Sequence, residues 1–116
     1  MICGTGIDII EVDRIAKAIE RWGENFLNHV FTDEEIVYAK KHRYPSQRFA
    51  GRFAAKEAVL KAFGKNSHLN WKDISITNDE DGKPICHFSD KNFKKQILIS
   101  ISHTPNYAVA SAIITP

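Results

Sequence analysis

Residues 46–63 read SQRFAGRFAAKEAVLKAF, a long helix around which the other elements must pack. Pro45 before it suits the first turn of a helix, and Gly64 after it is a helix-ending residue. At about 100° per residue, Phe49, Phe53, Leu60 and Phe63 share one stripe. Lys56 falls in the middle of that stripe. Gly51, Ala54, Ala55, Ala58 and Ala62 leave much of the remaining circumference small, which permits close packing against a sheet or another subunit.

The flanking sequence supplies the sheet. Residues 2–10 form a β-branched strand broken by Gly4 and Gly6, whose lack of a side chain points to a close approach by another backbone or a ligand. Residues 11–22 repeat Val12, Ile15, Ala16, Ile19 and Trp22 at helical spacing. Thr32-Asp33-Glu34-Glu35 is a capping-box pattern, so a helix follows over about 33–42. Residues 73–78 and 84–89 alternate like strands about Asp81-Gly82-Lys83-Pro84, a hairpin signal. A short polar helix is expected over 89–95, and two more strands over 97–102 and 107–114. Helices come early and strands mostly late, which predicts an α+β fold in one domain spanning 1–116.

Composition agrees with one folded domain. The chain has 116 residues, 43% of them hydrophobic, and a net charge of +2, so it is neither disordered nor a strongly basic nucleic-acid binder. No apolar run is long enough to span a bilayer. Cys3 and Cys86 form no redox or disulfide framework, and the start MICGTGIDII lacks a secretory pattern. A cytoplasmic location is expected.

The small net charge conceals a segregation. Residues 8–35 hold three basic and eight acidic side chains, a net −5, whereas residues 38–65 hold eight basic side chains around Glu57 alone, a net +7. A lysine at the Lys56 position needs a partner or must snorkel to solvent. Glu57 and Lys61, four apart, are either an ordinary helix ion pair or a cation ligand beside a phosphate-binding ammonium. Asp8 lies among isoleucines, so it must be paired, hydrogen-bonded or metal-bound. His103 ends an apolar strand and is either structural or a base or phosphate contact. The five histidines show no zinc spacing. Arg14, Lys17 and Arg21 line one helix face, either solvated or ready for an acidic partner.

Four segments together resemble the holo-acyl-carrier-protein synthase family, the short bacterial 4′-phosphopantetheinyl transferases. They are GTGIDIIEVDRI at 4–15, GRFAAKEAVLKAFG at 51–64, DGKP at 81–84 and SISHTPNYAVA at 100–110. The resemblance implies the phosphopantetheinyl transferase fold, a mostly antiparallel sheet packed on a long helix. It also implies a homotrimer with active sites between subunits. The implied reaction moves 4′-phosphopantetheine from coenzyme A to a serine of apo acyl carrier protein. By motif position, Asp8 and Glu57 would bind Mg²⁺, and Asp8, Glu57, Lys61 and His103 would be catalytic. Arg52, Lys56, Lys61, Gly82, Lys83, Pro84 and His103 would contact coenzyme A. Arg14, Lys17 and Arg21 would dock the acidic carrier.

The physics of the reaction suits those residue types. Negative charge gathers on the transferring and leaving oxygens, so positioning and cations matter most. The nucleophile comes from the carrier, and no partnership with nucleic acid or membrane is implied. Two other readings exist. A small α+β RNA-binding domain would use residues 38–65 as a phosphate footprint, but explains neither Glu57 nor Lys56. A silent scaffold of the same fold would not need Asp8, Glu57 and Lys61.

Overall fold

A computed structural model of the chain describes every residue except Asn66. In chain order it contains β1 (Gly4–Glu11), α1 (Val12–Trp22), α2 (Glu24–Val30), α3 (Asp33–Lys40), α4 (Pro45–Phe63), β2 (Ile74–Asn78), β3 (Pro84–Phe88), β4 (Gln96–His103) and β5 (Tyr107–Thr115). A single 3₁₀ turn, Trp71–Asp73, precedes β2. The architecture is α+β.

Among the described residues two antiparallel sheets form, one ordered β1-β5-β4 and the other β2-β3. In the first, β5 is central, with Asp8 opposite Ala110 and His103 opposite Ala108. Ala108, Ala110 and Ala112 of β5 are buried, as are Ala54, Ala55 and Ala58 of α4. Alanine facing alanine lets the helix lie close on the sheet.

Gly4 and Gly6 make the approach closer still. A Cβ on Gly6 would stand 1.9 Å from the Ala58 carbonyl oxygen, and one on Gly4 2.3 Å from that of Ala62. Real Cβ atoms do not come so near, so only glycine permits this contact. The backbone approach expected at these glycines is that of α4. The helix crosses the sheet obliquely: a Cβ on Gly51 would meet Ile101 of β4 at 3.2 Å, while Ala58 and Ala62 lie on β1.

Local signals place most element ends. Thr32 and Glu35 form the reciprocal capping box at the start of α3, and α4 stops at Gly64, whose φ is +89°. Gly82, with φ +86°, turns the β2–β3 hairpin, and Asp79 Oδ1 accepts the N–H groups of Asp81 and Lys83 there.

Three expectations need correction. Residues 89–95 form turns, not a helix. Asp90 there accepts the Asn92 N–H through its side chain, a local alternative to helix, and Phe93 packs on Phe63 and Phe88. Trp22 is 55% exposed with the Arg21 guanidinium 4.8 Å from its ring centre, so the apolar face of α1 ends at Ile19. Helix α2 was not anticipated. Gly23, at φ +56°, separates it from α1, and its seven residues bury only Leu27 and Val30 fully, too short a repeat to stand out.

Candidate active site

Strand alternation decides what β1 offers to the helix. Gly4, Gly6, Asp8 and Ile10 share the face toward α4, whereas Ile7 and Ile9 point away and are each 66% exposed. Asp8 follows the two glycines, so the close approach they permit carries its carboxylate up to α4. Glu57 and Lys61 meet it there, one helical turn apart. The Lys61 Nζ is 3.0 Å from Asp8 Oδ1 and also donates to the Ile7 carbonyl oxygen at 3.0 Å.

These three side chains line a cavity of about 470 Å³ together with Arg14, Ile15, Phe26 and Phe53. Residues from β1, α1 and α4 that lie far apart in sequence therefore converge. Glu57 is half-buried, and burial pushes its carboxyl above the ordinary glutamate range. The nearby Asp8 charge adds to that rise and Lys61 opposes it. Two carboxylates crowded into one pocket repel each other, and a cation between them removes the repulsion.

The donor set fits Mg²⁺. Among the described residues no group of three or more His, Cys, Asp or Glu is placed to hold a metal. Two carboxylate oxygen donors on an open cavity are what Mg²⁺ uses, because it keeps several waters and takes remaining ligands from phosphates.

Lys56 departs from its expected place. It is fully buried and faces away from this cavity. Its ammonium meets Glu35 Oε1 at 2.6 Å and donates to the carbonyl oxygens of Val30 at 2.8 Å and Trp71 at 2.9 Å. All three protons are used, so none is left for a phosphate. Burial lowers the Lys56 pKa, and Glu35 opposes that shift. In the sequence Glu35 stands out only as half of a capping box, and no local signal marks it as the partner of Lys56.

Arg52 is also buried. It stacks over the Tyr38 ring at 4.2 Å and donates from Nη2 to Asn78 Oδ1 at 3.0 Å, while its Nε has no hydrogen-bond partner among the described residues. Asn78 ends β2, so Arg52 reaches the base of the hairpin that carries exposed Gly82 and Lys83 and half-buried Pro84. His103 is exposed at the end of β4, on the far side of β5 from Asp8. Two strand spacings, about 10 Å, separate β4 from β1. One chain thus brings Asp8, Glu57, Lys61 and Arg14 together, and leaves Arg52, residues 82–84 and His103 outside their cavity.

Of the eight basic side chains of residues 38–65, Arg52 and Lys56 are buried and Lys40 is paired to Glu24 at 2.9 Å, which thins the basic footprint that an RNA-binding reading would use. On α1, Lys17 pairs with Asp13 at 2.9 Å. Cys86 has its thiol pushed up to about 12 by burial, which leaves it without nucleophile character at neutral pH.

Comparison with known proteins gives a consistent result. The sequence pattern of the 4′-phosphopantetheinyl transferase superfamily matches residues 4–112. A holo-[acyl-carrier-protein] synthase of Thermodesulfovibrio yellowstonii is 50% identical, covering 99% of this chain and all of that one. The crystal structure of a holo-(acyl-carrier-protein) synthase from Bacillus anthracis, in complex with CoA (3′,5′-ADP), superposes with a TM-score of 0.86 at 38% identity, covering 98% and 96% of the two chains. The Helicobacter pylori enzyme in complex with coenzyme A gives 0.84 at 32% identity, covering 96% and 99%.

Proposed function

The chain belongs to the 4′-phosphopantetheinyl transferase superfamily, and we propose that Asp8 and Glu57 are the Mg²⁺ ligands of its reaction. The chain transfers the 4′-phosphopantetheine group from coenzyme A to a serine of apo acyl carrier protein, leaving adenosine 3′,5′-bisphosphate. The observation that carries the assignment of residues is the convergence of Asp8, Glu57, Lys61 and Arg14 on one cavity.

When bound, the cation supplies Lewis-acid stabilisation of the diphosphate. The chain's own groups do the rest. Asp8 and Glu57 hold and orient it from β1 and α4. Lys61, half-exposed beside Asp8, turns to the phosphate oxygens as charge develops on them. Arg14 at the cavity wall meets the acidic carrier and brings its serine to the site, with Lys17 and Arg21 farther along α1 adding long-range attraction.

Arg52, Gly82, Lys83, Pro84 and His103 form the other part of the coenzyme site, with His103 available to accept the serine proton. These residues lie outside the Asp8 cavity of their own chain, and a homotrimer with each active site between two subunits would bring them to the cavity of a neighbouring copy. The outer sheet face supports that assembly: Ile7, Ile9, Leu98 and Tyr107 are exposed there, an apolar patch of the kind that marks an interface. Residues 1–116 act as one domain in the cytoplasm, serving fatty-acid biosynthesis. No helix among the described residues is long and apolar enough to cross a membrane.

The test is direct. The protein is incubated with Mg²⁺, coenzyme A and apo acyl carrier protein, and the carrier is weighed by mass spectrometry. A gain of one phosphopantetheine, lost with EDTA and in Glu57→Ala, is expected. A gain that survives both would remove the metal and Glu57 from the reaction.

A further inference from the structure

Glu35 and Lys56 are charged side chains with no exposed surface. Isolated burial of either would be very unfavourable, and even a buried pair is stabilising only when its remaining hydrogen-bonding capacity is met. Here it is met. Besides Lys56, Glu35 Oε1 accepts the Thr32 N–H at 2.8 Å, and Oε2 accepts the Ile76 N–H at 2.8 Å. With the Val30 and Trp71 carbonyls on Lys56, one ion pair ties α4 to the end of α2, the cap of α3, the 3₁₀ turn and β2.

The neighbour of Lys56 in sequence is Glu57. Successive residues of a helix point about 100° apart and advance about 1.5 Å. A turn or slide of α4 that released Lys56 would therefore also shift Glu57 relative to Asp8. On the opposite side the same helix is seated by the backbone of Gly4 and Gly6. That contact limits how near α4 comes to β1, and does not by itself stop rotation about the helix axis. Lys56 lies on the other flank, where a fixed point has the most leverage on rotation.

We infer that Glu35 and Lys56 are a positioning pair that sets the rotation of α4 and so aims the Glu57 carboxylate at Asp8, with Lys56 making no contact to coenzyme A. The inference rests on the reading of Asp8 and Glu57 as the cation site. Its signature is a change in metal affinity in protein that remains folded and still binds coenzyme A. Partners that orient a metal ligand from behind characteristically alter affinity roughly tenfold or more when removed.

The experiment uses Mn²⁺ as the probe and counts free ion by electron paramagnetic resonance, with no coenzyme or carrier present. Coenzyme A affinity is measured separately in EDTA. Glu35→Gln keeps the shape of the side chain, and circular dichroism reports its fold. Its Mn²⁺ affinity should fall roughly tenfold, with coenzyme A affinity within about twofold of the parent, and Lys56→Gln should behave alike. If Glu35→Gln does not fold, Glu35→Asp, which keeps the charge but shifts the anchor, carries the same expectation. Unchanged Mn²⁺ affinity in a folded variant overturns the inference. So does a Lys56→Gln protein that loses coenzyme A affinity while holding Mn²⁺ normally, since that is a phosphate contact. Asp8→Asn and Glu57→Gln serve as references. If they bind Mn²⁺ like the parent, the cation site itself is elsewhere, which is a different failure and overturns both readings.

Discussion

The Lys61 ammonium lies 3.0 Å from Oδ1 of Asp8 and is anchored by a second hydrogen bond to the Ile7 carbonyl. A lysine on α4 thus already occupies a carboxylate that the proposed cation site needs. A cation held by Asp8 would compete with Lys61 for that carboxylate and would leave the ammonium free for phosphate.

Lys61→Met should therefore raise divalent-cation affinity in the absence of coenzyme A and lower kcat. The ion pair is half-exposed, so the gain is modest, roughly fivefold at most. Mn²⁺ titration of the variant against the parent reads the first effect and steady-state rates the second. Equal or weaker Mn²⁺ binding in the variant would show that Lys61 does not guard Asp8.

Glu57 makes stability depend on pH when no metal is bound. Its folded pKa is raised, chiefly by burial, so the native state holds this proton more tightly than the unfolded chain. That contribution is complete below the ordinary glutamate range and is lost as pH rises through the folded pKa. Urea melts in EDTA should show stability declining across the window just above that range. The decline should be shallower in Glu57→Gln and in Asp8→Asn. Superposable curves for parent and Glu57→Gln would contradict the assignment.

Gly6→Ala should be destabilising by about 1–3 kcal/mol or more, because a backbone carbonyl 1.9 Å from the new Cβ cannot move aside cheaply. Gly51→Ala is the contrasting change. Its Cβ meets only the Ile101 side chain at 3.2 Å, and alanine gains up to about 1 kcal/mol of helix propensity over glycine. Thermal melts should separate the two clearly, with Gly6→Ala also weakening Mn²⁺ binding as β1 lifts from α4. Equal melting temperatures would mean that β1 does not sit this close to the helix.

Ile9→Glu places a charge on the exposed outer face of β1, opposite Val109. The variant should fold and elute as a monomer in chromatography with light scattering, with its transferase activity largely lost. A stable trimer from this variant would exclude the outer sheet face as the subunit interface.

Arg14→Glu should raise the KM for the carrier and leave the KM for coenzyme A near its original value. The effect should shrink as salt is added, since charge pairs at a rim act mainly on association rate. An unchanged carrier KM at low salt would remove Arg14 from docking.

Much of this arrangement is legible in the sequence. Pro45 and Gly64 bracket α4, Thr32 and Glu35 announce α3, and Asp81-Gly82 marks the hairpin, because each rule acts between near neighbours in the chain. The oddity of Asp8 among isoleucines and of Lys56 in an apolar stripe was visible for the same reason. Helix α2 and the turns at 89–95 were not legible, since a seven-residue helix and an Asx turn leave too few residues for periodicity to register.

Local rules alone require partners for Lys56 and Asp8 and a close neighbour for Gly4 and Gly6. Which residues fill those places depends on contacts between distant parts of the chain. Lys56 finds Glu35, 21 positions away, and Lys61 finds Asp8, 53 positions away. Periodicity tells which face of an element turns inward. The identity of the atom opposite depends on how far α4 slides and turns over β1 and β5, and that is fixed by glycine and alanine contacts summed over the whole interface. That seating took Lys56 from the phosphates, gave it to the scaffold, and left Glu57 and Lys61 at the cavity with Asp8.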